Sequence, residues 1–229
     1  MVDLICLANS RKMGARCVAG IRPDTGEWIR PVSSVASGKL EITQIRLSNN
    51  ADPRCFDLIH VGLSQASPTR MQPENWLIDG KPWELVVSPA PSRCSIVIRD
   101  RLFRGALIFG NSSDRVGVET FDTSPAVESL LLLKPINVRW AVGRSFTGGM
   151  QARVRFHHNS VRYNLPVTDI IFENKLKNLG LGEYNSGEIG IENEEALFFT
   201  ISLGEPFNGS CYKLVAAVLE LPAGWPAIE

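Results

Sequence analysis

The residues of this chain that could do chemistry are cations that stand close to aromatic side chains. Cations bind the phosphates of a nucleic acid, and aromatic rings stack on its bases. The candidates for such a surface are Arg11, Lys12, Arg16, Trp28, Arg30, Arg144, Arg153, Arg155, Arg162 and Tyr163. Their residue types and clustering predict that the protein binds nucleic acid.

Charge is segregated along the chain although the total is neutral. The sequence contains 24 Lys and Arg against 24 Asp and Glu. Residues 134–162 hold six cations and no carboxylate, whereas residues 183–195 hold five carboxylates and no cation. A neutral total argues against a strongly basic packaging protein, so a nucleic-acid surface must be local. The alternative is that the arginines pair with the acidic run while Trp28 and Tyr163 serve in packing.

The first cations lie on a predicted three-stranded meander. Apolar runs at Leu4–Ala8, Cys17–Ile21 and Trp28–Val32 are separated by polar, Gly-containing connections. The second connection contains Pro23-Asp24-Thr25-Gly26, in which Pro presets φ and Gly tolerates a positive φ. Short aliphatic runs divided in this way are typical of antiparallel strands.

The later cations lie on a predicted hairpin. Residues 151–157 and 161–165 form its strands, joined by His158-Asn159-Ser160. Arg153 and Arg155 alternate with three apolar residues, and a period of two puts the arginines on one face of a strand. Tyr163 lies on the partner strand, so the sequence predicts that it accompanies the arginines.

Further elements complete a strand-rich second half. Strands are expected at 128–134, 136–142, 196–203 and 212–221, with a helix capped by Thr168 or Asp169 and ended by Gly180. This order is close to a small five-stranded barrel with one helix. In the first half, residues 92–109 favour a helix by apolar spacing. Residues 111–117 are rich in Asn, Ser, Asp and Gly and are predicted to be a linker.

Several sequence blocks resemble the prokaryotic dual OB-containing domain family. They are ICLANSRK, RCVAG and WIRPVS near the start, PENW and FGNSSDRV in the middle, and VTD and SLGEPFNGSCYKLVAAV near the end. The resemblance implies an all-β fold with one or two short helices and two consecutive OB-like five-stranded barrels. We expect the barrels at residues 1–110 and 118–229. The resemblance also implies a role in nucleic-acid transactions or in defence against mobile elements, and it supplies no catalytic residues.

Other chemistry has little support in the sequence. The five cysteines are widely spaced without a Cys-x-x-Cys pair, which favours buried reduced thiols over a metal site or disulfides. His157 and His158 are adjacent, so on a strand they point to opposite faces and cannot chelate one ion. No Gly-x-Ser-x-Gly elbow and no phosphate-binding glycine loop is present. We therefore expect no catalytic residue, no metal site and no cofactor.

The sequence thus predicts a non-catalytic protein that binds single-stranded DNA or RNA, beside an enzymatic or other protein partner. We expect a cytoplasmic location, since neither a signal peptide nor a membrane-spanning run is evident. An interaction or scaffold module of a larger assembly is the alternative. Phe207 in the connection 204–209 and Trp225 could contact a partner, or they could pack across a barrel end.

Overall fold

A computed structural model describes residues 1–145 and 147–227, and over these ranges the chain is mostly β. The strands before residue 100 are β1 (Val2–Lys12), β2 (Ala15–Ile21), β3 (Trp28–Val32), β4 (Leu58–Val61), β5 (Leu63–Ala66), β6 (Asn75–Ile78) and β7 (Glu84–Val87). Those after it are β8 (Arg115–Gly117), β9 (Leu130–Leu133), β10 (Ile136–Arg144), β11 (Met150–His158), β12 (Val161–Pro166), β13 (Gly182–Tyr184), β14 (Leu197–Phe207) and β15 (Ser210–Glu220). The helices are α1 (Ile42–Ile45), α2 (Ser95–Asp100), α3 (Thr120–Thr123) and α4 (Ile170–Leu179).

The first sheet contains β1 to β7 in the order β5-β6-β3-β2-β1-β4-β7. Its centre is the opening meander, which confirms the prediction from the apolar runs. Neighbouring strands are antiparallel except β3 and β6, which are parallel. One face of this sheet packs around Leu4, Ile29 and Trp83, which form the core of the first half.

The second half is built from two smaller sheets that enclose their own core. The second sheet has the order β12-β11-β10-β13, and the third has the order β8-β15-β14-β9. Their inner faces meet at aromatic rings, where Phe199 contacts Trp140 at 5.8 Å and Phe156 at 5.3 Å between ring centroids. Aromatic pairs at this separation contribute more than their buried area alone. Helix α4 packs against this core, and its Phe172 stacks on Trp140.

The two halves share an interface because the third sheet is buried on both faces. Phe199 on β14 and Val215 on β15 face the core of the second half. Their neighbours Phe198 and Ala216 face the first sheet, where they join a cluster that includes Trp28. Strands buried on both sides have near-continuous apolar sequences, and the run from Leu197 to Leu203 shows this.

Tertiary contacts shorten the helix that was predicted over residues 92–109. Helix α2 ends at Asp100, after a 3₁₀ turn at Ser92–Cys94. The backbone of Leu102 then bridges to Leu132 of β9, and the N–H of Phe103 donates to the Leu132 carbonyl at 2.6 Å. This segment therefore extends along a strand instead of continuing its helical period, so that prediction was wrong beyond residue 100.

Two predicted connections carry strand structure. The expected loop 204–209 belongs largely to β14, which runs to Phe207 and turns at Asn208-Gly209 into β15. The predicted linker 111–117 ends in β8, which pairs with β15. Within it, Asn111 accepts hydrogen bonds from the fully buried ammonium group of Lys213. The domain limits 1–110 and 118–229 stay a prediction.

Candidate nucleic-acid interface

Two arginines of β11 lie on the outer face of the second sheet. Ala152, Val154 and Phe156 are buried, whereas Arg153 and Arg155 between them are partly exposed. Side chains of a strand alternate between its two faces, so this burial pattern confirms the predicted period of two.

Neighbouring strands add two more arginines to the same face. The register of β10 places Arg139 opposite Arg155, and that of β12 places Arg162 opposite His157. Directly opposed residues of paired strands point to the same side. We call Arg139, Arg153, Arg155 and Arg162 the arginine face.

Two members of the arginine face have acidic partners. Arg155 Nη1 lies 2.5 Å from Glu183 Oε1, and Arg153 Nη2 lies 3.5 Å from Asp114 Oδ2. Arg153 Nε also donates to Asn164 Oδ1 at 3.0 Å, which fixes the guanidinium against the sheet. Burial lowers the pKa of Arg153 despite the opposing effect of Asp114, but a guanidinium keeps its charge in proteins.

The other two members have no carboxylate partner among the residues that the structure describes. Arg139 Nη1 donates to the backbone carbonyl of Val138 at 2.9 Å, and Arg162 is exposed. Arg139 directly opposes Arg155 on the adjacent strand, and because Glu183 offsets the charge of Arg155, Arg139 is the member of this pair without a carboxylate partner in the described part of the chain. Glu183 is the one member of the predicted acidic run that pairs with this face over the described ranges, so the acidic-run alternative holds for Arg155 alone.

Tyr163 does not accompany the arginines, and its predicted role as a stacking residue is wrong. The ring is 1% exposed and stacks on Phe156 inside the core at 5.8 Å. Its hydroxyl accepts from the N–H of Ile108 and donates to the carbonyl of Asn111.

The hairpin turn explains this correction. A three-residue turn would place Tyr163 opposite Arg155, on the outer face. The actual turn has two residues, Asn159 and Ser160, with φ of 47° and 67°, and it places Tyr163 opposite Phe156. A register shift of one residue moves every side chain of a strand to the other face.

The surface predicted for the first half is not formed. Trp28 is 5% exposed and Arg30 is fully buried, because the third sheet covers this side of β3. Arg30 Nη2 donates to Ser202 Oγ of β14 at 3.2 Å. Neither side chain can reach a ligand on the surface, so both site predictions are corrected.

The remaining candidates also lie away from the arginine face. Arg11 Nε pairs with Glu173 Oε2 of α4 at 2.7 Å, and Lys12 Nζ pairs with Glu205 Oε1 at 2.8 Å. These two ion pairs join β1 to the second half of the chain.

Arg16 and Arg144 are placed by strand register as well. Arg16 lies on β2, opposite Arg11 of β1, and its side chain is half-buried. Arg144 is exposed and donates to the carbonyl of Gly148 at 3.0 Å. Arg144 lies two residues after Val142 and four after Trp140, so it is on their side of β10 and points away from the arginine face.

A family comparison agrees with this architecture. The model of the dual OB-containing domain matches residues 2–218. The chain belongs to the dual OB-containing domain family. No curated protein and no solved structure matches it. OB folds in general bind oligonucleotides or oligosaccharides on one face of the curved sheet and at the loops beside it.

This dual OB protein carries two aromatic residues near the arginine face, of which the sequence indicated Phe207 only as a possible contact for a protein partner and did not indicate Tyr212. Asp114, which pairs with Arg153, also accepts from Arg115 Nε at 2.9 Å. The Arg115 guanidinium lies over the ring of Tyr212 at 4.7 Å, and Tyr212 contacts Phe207 at 6.4 Å. Phe207 is 65% exposed, so a chain of contacts leads from the arginine face to an open aromatic surface. In the sequence, the apolar residue Phe207 beside the turn Asn208-Gly209 was the signal that could have indicated this surface.

The dual OB protein has a buried lysine and buried thiols whose surroundings favour structural roles. Burial lowers the pKa of Lys213 to about 8, yet its ammonium donates to the Ile108 carbonyl and to two oxygens of Asn111. Burial raises the pKa of Cys6 to about 12, which keeps that thiol protonated and unreactive.

Across residues 1–145 and 147–227 of this dual OB protein, no group of three or more His, Cys, Asp and Glu side chains is arranged to hold a metal. In the same ranges, none of the helices has the length and apolar character needed to span a membrane.

Proposed function

We propose that this dual OB protein binds single-stranded DNA or RNA without catalysis, through the arginine face. The observation that carries the proposal is the direct opposition of Arg139 and Arg155 on an outer sheet surface, with Arg162 exposed nearby. A phosphate bound between them would accept hydrogen bonds from the unpaired Arg139 and would compete with Glu183 for Arg155.

Strand spacing supports contact with successive phosphates. Paired strands lie about 4.8 Å apart, and residues two apart on a strand lie roughly 7 Å apart. Arg139 and Arg155 therefore span neighbouring strands, while Arg153 and Arg155 span the direction along β11. The four guanidinium groups form a grid that follows a flexible backbone and has no base-specific geometry.

The aromatic surface beside this grid supports binding of a single strand. Phe207 and Tyr212 offer ring faces to unpaired bases, and Arg115 contributes a cation above the Tyr212 ring. Base stacking on an aromatic residue contributes about 1 to 3 kcal/mol and tolerates any sequence. Bases of a duplex are already stacked, so this surface favours single strands.

Charge removal at the two unpaired arginines tests the proposal. Arg139→Gln with Arg162→Gln should weaken binding of a labelled 12-nucleotide strand by about tenfold or more at low salt. Arg70→Gln with Arg99→Gln is the matched control, since it removes two exposed arginines from elsewhere. The proposal is wrong if wild type does not bind at low salt, or if both double variants lose the same affinity.

An enzymatic partner would act on the strand that this face holds. Copurification that survives nuclease and high salt would identify a direct protein contact.

A further inference from the structure

A pocket of about 300 Å³ opens at one end of the arginine face. Its walls come from the segment after α2, the start of β10 and the turn between β11 and β12. The lining residues that carry the argument are Phe103, Arg104, Lys134, Ile136, His157 and Asn159.

The floor of the pocket is continuous with the arginine face. His157 lies opposite Ile136 on one side and opposite Arg162 on the other. All three residues therefore point to the outer side of the second sheet. A strand lying on the arginine face would have one end at this pocket.

The lining is cationic. Lys134 and Arg104 belong to the lining, and no Asp or Glu does among the described residues. Lys134 is exposed, and its ammonium lies 5.9 Å from the centre of the Phe198 ring. Such a pocket favours an anion with two charges over a singly charged phosphodiester.

A buried polar atom in the lining has no partner. His157 Nδ1 is shielded from solvent and makes no hydrogen bond within the described structure. A buried ring nitrogen without a partner is unusual, and a ligand oxygen or hydroxyl is one group that can satisfy it.

The walls of the pocket are held firmly. Phe103 stacks on His158 at 5.3 Å, and His158 Nε2 lies 2.8 Å from the Gly105 carbonyl. A Cβ at Gly105 would lie 2.5 Å from the Phe103 ring, so the ring occupies the space that glycine leaves. Asn159 donates to the same carbonyl at 2.9 Å and fixes the hairpin turn. The pocket is thus pre-organised and does not need to form around a ligand.

We propose that this pocket binds a phosphate monoester, and specifically the terminal phosphate of the strand on the arginine face. The inference rests on the proposed function, which supplies the strand. The residues that would bind the phosphate are separate from the arginine face. Lys134 and His157 Nδ1 would contact the phosphate, and the ring of Phe103 with Ile136 would contact the terminal nucleoside. The same chemistry could come from a free nucleoside monophosphate.

Oligonucleotides that differ only at their ends test the proposal. Wild type should bind a 12-nucleotide strand with a terminal phosphate, at the 5′ or the 3′ end, about tenfold more tightly than the same strand with hydroxyl ends. In Lys134→Gln, the strand with a terminal phosphate should bind no more tightly than the strand with hydroxyl ends. The affinity for the hydroxyl strand should change less than about twofold. Arg139→Gln with Arg162→Gln should weaken both strands and preserve the ratio.

A second titration with adenosine monophosphate and with inorganic phosphate separates the sources. One outcome is that adenosine monophosphate or inorganic phosphate binds saturably, that Lys134→Gln removes this binding, and that no strand binds. This outcome would support the pocket and overturn the proposed function. Strand binding that ignores terminal phosphate, together with no binding of the small phosphates, would overturn the pocket and leave the proposed function standing. Absence of all binding would overturn both.

Discussion

Arg30 on β3 donates from Nη2 to the hydroxyl of Ser202 on β14, at 3.2 Å, and both side chains are buried between the two halves of the chain. Arg30 Nε and Nη1 have no hydrogen-bond partner, and no carboxylate within the described ranges pairs with this guanidinium. A buried cation of this kind has lost its hydration without gaining an ion pair. Arg30 therefore belongs to the interface between the halves and not to a ligand surface.

Replacing Arg30 by an apolar residue of similar length should not destabilise the protein. Arg30→Met removes the desolvated charge and keeps most of the packing, so the free energy of unfolding should stay constant or rise by about 1 to 2 kcal/mol. Urea denaturation measures it. Ser202→Ala is the contrasting variant, because it removes the acceptor and should cost about 1 to 3 kcal/mol. A loss of more than about 3 kcal/mol in Arg30→Met would show that the guanidinium has a favourable partner.

Asp169 should prove to be the most important single cap in the fold. Its Oδ1 accepts from the N–H groups of Ile171 and Phe172, and its Oδ2 accepts from that of Val218 on β15. Asp169→Ala removes the helix cap and leaves a buried N–H without a partner, so a loss of about 2 to 4 kcal/mol is expected in urea denaturation. Asp169→Asn keeps one acceptor oxygen and should lose about half as much. Equal losses would contradict this account of the cap.

Acid should weaken the contact between β1 and α4. Burial by itself would raise the pKa of Glu173, but hydrogen bonds from Arg11 and Lys177 outweigh it and hold the pKa below its ordinary value. A carboxyl group with a lower pKa in the folded state stabilises that state above its unfolded pKa. This contribution is lost as the pH falls through the folded pKa. The stability difference between wild type and Glu173→Gln should thus be constant above about pH 5 and shrink below pH 4.

The exposed ring of Phe207 should contribute to binding and not to stability. Phe207→Ala should reduce the affinity for a single strand about fivefold or more, because one base loses its stacking surface. Fluorescence anisotropy measures the affinity, and the melting temperature should be unchanged. Val127→Ala is the control, since Val127 is 91% exposed and lies outside the proposed surface. Unchanged strand affinity in Phe207→Ala would place the aromatic residues outside the binding site.

Local patterns in the sequence predicted much of the fold correctly. The alternation around Arg153 and Arg155 depends on strand geometry alone, and it predicted their face. The helix capped by Asp169 and ended at Gly180 was found for a similar reason, since both signals lie within the segment itself.

The errors arose where a distant segment or the exact length of a turn decides the outcome. Trp28 and Arg30 have the same neighbours in sequence whether or not β14 covers them, so their burial could not be read from the opening residues. Tyr163 was misplaced by the length of one turn, which set the register of the whole hairpin. Arg139 was part of the recognised basic run, but only the register with β11 brings it opposite Arg155.

The salt dependence of single-strand binding tests the central claim most directly. Each phosphate contact with a single strand lowers the slope of log K against log salt concentration by about 0.7. Engagement of three phosphates, one of them shared by Arg139 and Arg155, therefore predicts a wild-type slope of about −2, which Arg139→Gln with Arg162→Gln should reduce in magnitude by about 0.7 or more. A slope near zero, or an identical slope in wild type and the double variant, would contradict the account.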